Sequence, residues 1–179
     1  VTSIGNGAFS KCSGLTSVSI PSTVTSIGNS LLSYCTSLAS VTIPEGVTSI
    51  GDQAFGECSG LTSVTIPSTV TSIGERAFDE CTALTSVTIP STVTSIGFRT
   101  FGGCTGLTSV TIKEGVTSIG RHCFDECSSL TSVQLPSSLI SIGDNAFWFT
   151  NISTITIPEG VTSIGNLCFY KCSSLTNIQ

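Results

Sequence analysis

VTSIGNGAFSKCSGLTSVSIPST, running from Val1 to Thr23, decides the fold, because the rest of the chain repeats it. "VTSIG" or a close variant begins again at Val24, Val47, Val70, Val93, Val116, Leu139 and Val161. The first six blocks hold 23 residues each, the seventh (Leu139 to Gly160) holds 22, and the eighth stops at Gln179 after 19. A fixed period of this size is the signature of a solenoid. Within a block the apolar slots are the first and fourth (Val1, Ile4), the eighth and ninth (Ala8, Phe9), the twelfth (Cys12), the fifteenth (Leu15), and the eighteenth and twentieth (Val18, Ile20). Leu32 in a Phe slot and Thr100 in an Ala slot are mild departures.

Val18-Ser19-Ile20 alternates with period two, as a half-buried strand does. A strand that returns once per block cannot come back through a hairpin. It must travel round a coil and pair in parallel with its copy in the next block. One block buries too little apolar surface to fold alone, whereas stacked blocks share a continuous core. Pro21 closes the strand, since it has no N–H to give the ladder. "VTSI" reads as a second short extended segment. Gly5, present in every block, reads as a turn with positive φ. Asn6, Asn29, Asp52, Asp144 and Asn166 stand where helix N-caps would stand, so Gly7 to Cys12 is expected to form one helical or 3₁₀ turn.

Charged residues are only 9% of the chain, against about a quarter in ordinary proteins, so the surface must be polar through hydroxyls. The net charge is −5 and there is no basic stripe, which argues against a nucleic-acid partner. No apolar run approaches the roughly 18 residues of a membrane-spanning helix. The chain has no Met, starts at Val1 and shows no signal peptide. It is therefore expected to be a single domain of residues 1–179 cut from a longer chain, or a processed product.

The pattern I-G-x-x-A-F-x-x-C-x-x-L-x-x-V-x-I-P, seen from Ile50 to Pro67, resembles the BspA-type (Treponema pallidum-type) leucine-rich repeat. The resemblance covers the whole chain and recurs in each block. It implies a right-handed solenoid with its parallel sheet on the concave side, in surface or secreted proteins of bacteria and some parasitic protists. It also implies adhesion and binding of host or matrix proteins. The seventh block departs from the pattern, lacking the Cys and one residue. The fold expected is a β-rich α/β solenoid, with parallel strands on the concave face and short helical or 3₁₀ turns on the convex side.

Cys12, Cys35, Cys58, Cys81, Cys104, Cys127 and Cys172 share the twelfth slot, and are expected to be small buried hydrophobes with free thiols. Cys123 and Cys168 take the eighth slot. Each has a Cys four residues on, but nothing completes a tetrahedral metal set. The one histidine, His122, precedes Glu126 by four residues, as Arg76 precedes Glu80 and Gln53 precedes Glu57. On a helical turn these are surface pairs. Glu57, Asp79, Glu80, Asp125 and Glu126 read as a solvated acidic edge. They lack the Asx-Gly grammar of a calcium loop. No elbow, phosphate loop or dinucleotide fingerprint appears. An enzyme, a cofactor and a metal are therefore not expected.

Three surfaces are left for a partner. The main strand shows a ladder of hydroxyls, including Ser63, Thr65, Ser86, Thr88, Ser109 and Thr111, suited to an extended peptide, a glycan or another protein. Trp148, Phe149 and Tyr170 form an aromatic group at the irregular seventh block and its neighbour, with Phe98 a weaker addition. Exposed Trp and Tyr are common interface anchors. The alternative for Trp148 and Phe149 is to fold inward over the missing residue. The third surface is the pair of uncapped ends, where copies could stack head to tail into filaments. Asn151-Ile152-Ser153 is a glycosylation sequon. The function expected is a non-catalytic binding or adhesion module at the cell surface for protein or glycan partners, such as host matrix. The alternative is a self-assembling structural solenoid.

Overall fold

The computed structural model describes every residue from Val1 to Gln179. It is built from fifteen short strands, numbered here in chain order. The odd-numbered ones are the main strands: β1 (Ser17–Ser19), β3 (Ser40–Thr42), β5 (Ser63–Thr65), β7 (Ser86–Ile89), β9 (Ser109–Ile112), β11 (Ser132–Gln134), β13 (Thr154–Ile155) and β15 (Asn177–Ile178). The even-numbered ones are the "SI" pairs: β2 (Ser26–Ile27), β4 (Ser49–Ile50), β6 (Ser72–Ile73), β8 (Ser95–Ile96), β10 (Ser118–Ile119), β12 (Ser141–Ile142) and β14 (Ser163–Ile164). All pairing is parallel and in register, Ser17 to Ser40 and Ser26 to Ser49, as the repeat requires. The main strands form three groups, β1-β3-β5, β7-β9-β11 and β13-β15; at the joints after β5 and after β11 the ladder thins to long bonds such as Thr85 to Thr62 and Ser153 to Thr131.

The remaining face differs from expectation. It contains no helix and no 3₁₀ turn, only a run of tight turns. The seventh and eleventh slots sit at positive φ in coil after coil, at Ser30, Gln53, Arg76, Arg99 and His122 and at Tyr34, Glu57, Glu80 and Glu126. Left-handed residues at this spacing interrupt any right-handed helical run. The amides of this face also point elsewhere. Gly7, Phe9 and Lys11 donate to the carbonyls of Asn29, Leu31 and Ser33 in the next coil, at 2.7–3.0 Å. Only the alternate amides, such as Ala8 to Gly5, close locally. Beside the strands several donors point the other way: Ala39 to Thr16 and Thr48 to Thr25 lead back to the preceding coil.

Two sequence expectations are corrected with it. The residues at the Asx slot do not cap a helix of their own. Asn6 Oδ1 accepts the amide of Asn29, Asn29 Oδ1 that of Asp52, and Asp52 Oδ1 that of Glu75. The fifth-slot glycines do not have positive φ. Gly51, Gly74, Gly120, Gly143 and Gly165 are needed because the coils touch there: a Cβ on Gly74 would stand 2.5 Å from the Asp52 amide nitrogen.

The core is a set of ladders. Phe55, Phe78, Phe101, Phe124, Phe147 and Phe169 stack face over face, with centroids 5.2–5.5 Å apart and planes within 10°. Offset stacking at this distance adds about 0.5–1.5 kcal/mol per pair beyond burial. Beside it the twelfth-slot thiols are hydrogen-bonded. Cys58, Cys81, Cys104 and Cys127 donate to the carbonyls of Leu32, Phe55, Phe78 and Phe101 at 3.1–3.2 Å. All nine cysteines are free thiols. Burial raises the Cys58 and Cys168 thiols to about 12. Threonines stitch the edges, as Thr71 does by donating to the Thr48 carbonyl and Thr108 to that of Thr85.

The Phe ladder predicts that Phe101→Ala costs about 3–5 kcal/mol in urea unfolding, while Phe101→Leu costs far less, because Leu32 fills the same slot in its own coil. The thiol ladder predicts that native protein at pH 8 offers disulfide reagents one fast thiol, the exposed Cys12. The other eight are buried and should react only on unfolding, since the reagent must reach the sulfur.

Candidate functional site

The seventh coil breaks the repeat where Thr150 replaces the ladder cysteine. Thr150 is buried, and its hydroxyl donates to the Phe147 carbonyl and meets Cys172 Sγ at 3.2 Å. Ile152 is fully buried in place of the usual Leu. The missing residue therefore belongs to the turn between them, around Asn151. It leaves a surface depression of about 280 Å³, lined by Ser128, Thr150, Asn151 and Ser173 with Phe149 and Lys171. Asn151 stays exposed, and its side-chain oxygen accepts the Ser174 hydroxyl.

Phe149 stands at left-handed φ (56°) and is 47% exposed. It does not fold inward to fill the gap, and Trp148 is half-buried beside it, the two rings 5.8 Å apart at 38°. Tyr170 is exposed on the next coil. The feature that joins the three is Lys171. Its ammonium lies 5.7 Å from the Trp148 ring and 5.8 Å from each of the Phe149 and Tyr170 rings. A cation at this distance is held by the negative faces of the rings. A second depression, about 360 Å³, shares Ser128, Phe149 and Lys171 with the first and is otherwise lined by Thr105, Glu126 and Trp148.

The hydroxyl ladder divides differently. Ser63, Thr65, Ser86 and Thr88 line a groove of about 370 Å³ at the joint between β5 and β7. Ser109 and Thr111 stand on β9 inside a paired group and share no such groove. A comparable groove of about 410 Å³ lies at the other joint, where Ser132, Gln134, Thr154 and Thr156 face each other across β11 and β13. No residue pattern marks the joints.

The acidic edge is solvated at Glu57 and Glu126, but Asp79 and Asp125 turn inward. Arg99 lies at its centre, with Nε 3.0 Å from Asp79, Nη1 3.1 Å from Asp125 and Nη2 3.5 Å from Glu80. Gly102 makes room: a Cβ there would stand 2.6 Å from Asp125 Oδ1 and 2.9 Å from Asp79 Oδ1. Asp125 is 2% exposed, and His122 Nδ1 bonds it at 2.9 Å. The expected pairing of His122 with Glu126 is therefore replaced by one with Asp125, because the chain there is a tight turn and not a helix. Burial raises the Asp79 carboxyl above its usual range against the pull of Arg99. The same burial lowers Arg99, but the surrounding carboxylates outweigh it and the net shift is upward. Phe98 packs edge-on to His122 at 5.8 Å and carries Arg76 over its face at 5.3 Å. It belongs to this cluster and not to the Trp148 group. No group of three or more His, Cys, Asp or Glu side chains is arranged to hold a metal ion. No helix is long and apolar enough to cross a membrane.

The model of the BspA-type leucine-rich repeat region matches residues 1–108 and 94–179. The chain belongs to the BspA-type leucine-rich repeat family. Among solved structures it is similar to a leucine-rich repeat protein from Bacteroides ovatus, at 30% identity and TM-score 0.73, covering 99% of this chain and 58% of that one. It is also similar to a leucine-rich cell surface protein from Faecalibacterium prausnitzii, at 37% identity and TM-score 0.65, covering 98% and 41%. The leucine-rich repeat protein of Treponema pallidum matches at 29% identity and TM-score 0.68, covering 97% and 71%. The chain thus spans about half the length of the first two. A search of curated proteins finds no match.

Arg99 gives a test of this region. Arg99→Met leaves Asp125 buried without its counter-charge and should cost roughly 2–4 kcal/mol in chemical denaturation, between the values for a charged hydrogen bond and a buried pair. Adding Asp125→Asn should restore a good part of it. A loss below about 0.5 kcal/mol, the scale of an exposed pair, would contradict the buried arrangement.

Proposed function

We propose that this repeat domain is a non-catalytic binding module, displayed at a bacterial cell surface as part of a longer chain, which engages its partner through the shortened seventh coil. The observation that carries the reading is the gathering of Trp148, Phe149 and Tyr170 around Lys171 beside two depressions. Elsewhere the side chains of the coil satisfy one another from block to block. Here large rings face outward, and amphipathic aromatics of this kind carry a large share of binding energy at interfaces. Membership of the repeat family and the cell-surface relative support the location. The one histidine supports a non-catalytic role through its Nε2, the nitrogen a catalytic base would present, which meets Asn145 at 3.2 Å. The β5–β7 groove, with Ser63, Thr65, Ser86 and Thr88, offers a second, uncharged contact surface.

The test is capture of the protein on immobilised extracellular-matrix proteins and on glycan-coated beads, with Trp148→Ala/Tyr170→Ala alongside. The expected result is saturable retention that falls about tenfold or more in the variant. Equal retention of both proteins would move the site elsewhere, and no retention on any surface would overturn the binding reading.

A further inference from the structure

We infer that the two depressions flanking Phe149 form one site for a neutral oligosaccharide of at least two sugar residues. This rests on the binding role assigned to the seventh coil and names the chemistry of its partner. The first argument is the composition of the walls. Thr105 and Glu126 line one depression, Asn151 and Ser173 the other, and Ser128 both. The rings supply most of the wall in the first, and hydroxyls and an amide share it with Phe149 in the second. A protein side chain anchored by burial wants apolar walls, as drug-like pockets have. A sugar brings many hydroxyls that must each find a partner on leaving water, and these walls supply donors and acceptors at close spacing.

The second argument is the rings. A pyranose has a face of C–H groups carrying slight positive charge, and the face of an aromatic ring is its electrostatic complement. Trp148 and Phe149 offer two such faces, tilted by 38° and so aimed at different neighbours along a curved ligand. The third is continuity. Ser128, Phe149 and Lys171 line both depressions, so the space passes over and around one exposed ring. A single sugar would use one side only, whereas a linked pair uses both. Lys171 is exposed on a flexible stem and balances Glu126 across the site, which suits an uncharged ligand. It can swing off the rings as the sugar stacks.

Trp148 is the only tryptophan of the chain, so its fluorescence reads this site alone. The intact chain is titrated with chitotriose, cellotriose, maltotriose, xylotriose and mannotriose, and with the corresponding monosaccharides. Calorimetry gives the affinity of the variants. The expected result is a saturable emission shift with at least one trisaccharide, binding about tenfold or more tighter than its monosaccharide, and weakened by a similar factor in Phe149→Ala. Ser109→Ala, on the paired strand β9, should bind as the parent does. A chitotriose response would point to amino-sugar polymers, and a response to the other trimers alone to plain glycans. No shift and no heat with any trimer overturns the inference. If matrix proteins are still captured through Trp148 in that case, the binding role stands and only the sugar chemistry fails.

Discussion

Every part of this molecule depends on one constraint, that each coil lies in register on the next. A residue has its own homologue above it and below it, about 4.8 Å away. The amide of Phe9 finds the carbonyl of Leu31, and the thiol of Cys81 finds the carbonyl of Phe55. The Phe78 ring finds Phe55 and Phe101. A side chain is kept if it can interact well with a copy of itself. Phe stacks, the Asx side chain accepts the next amide, and Thr donates to the preceding coil. Charges repeat poorly in this way, because like charges on adjacent coils repel, as Glu57 and Glu80 do, which is one physical reason why the chain carries so few.

The two places where repetition fails show how the constraint is relaxed. In the fifth coil Gly102 and Gly103 stand where neighbouring coils carry Asp and Glu, and Arg99 fills the space between them. The acids on either side are then joined through a cation and no longer repel across an intervening acid. In the seventh coil Thr150 replaces a cysteine and a turn residue is lost. Ile152 still reaches the core, so the stack continues, and the deficit appears at the surface as a depression beside Phe149. Loss of one residue on a turn thus leaves the core ladders intact and changes only what faces water.

The strands were legible in the sequence because Val18-Ser19-Ile20 and its copies carry their own alternation, and the period alone requires parallel pairing. The turn face was not. Ser30, Gln53, Arg76 and Glu57 adopt left-handed φ with nothing in their side chains to announce it, since the bonds that hold them run to residues more than twenty positions away. The invariant fifth-slot glycine was visible, but close approach of two backbones and positive φ leave the same mark in a sequence. Asp125 looked solvated for a similar reason: its partner Arg99 is 26 residues distant and belongs to another coil. At the candidate site Trp148, Phe149 and Tyr170 stood out as breaks in a pattern. Lys171, which brings the three rings together, did not, because a lysine at a turn is unremarkable. The joints after β5 and β11 had no sequence signal at all.

The opposed directions of the inter-coil bonds bear on how long such a protein can grow. In an α-helix the peptide dipoles align and leave partial charges at the ends. Here amides beside the strands, such as Ala39 and Thr48, point toward the first coil, those of the ladders run both ways, as Ile157 to Gln179 shows, and those of the turn face point toward the last. Their dipoles oppose one another along the axis, so an added coil contributes little net polarity. The stack therefore gains burial with each copy and builds up little electrostatic cost at its tips. Gene duplication can lengthen or shorten such an array block by block without retuning the rest.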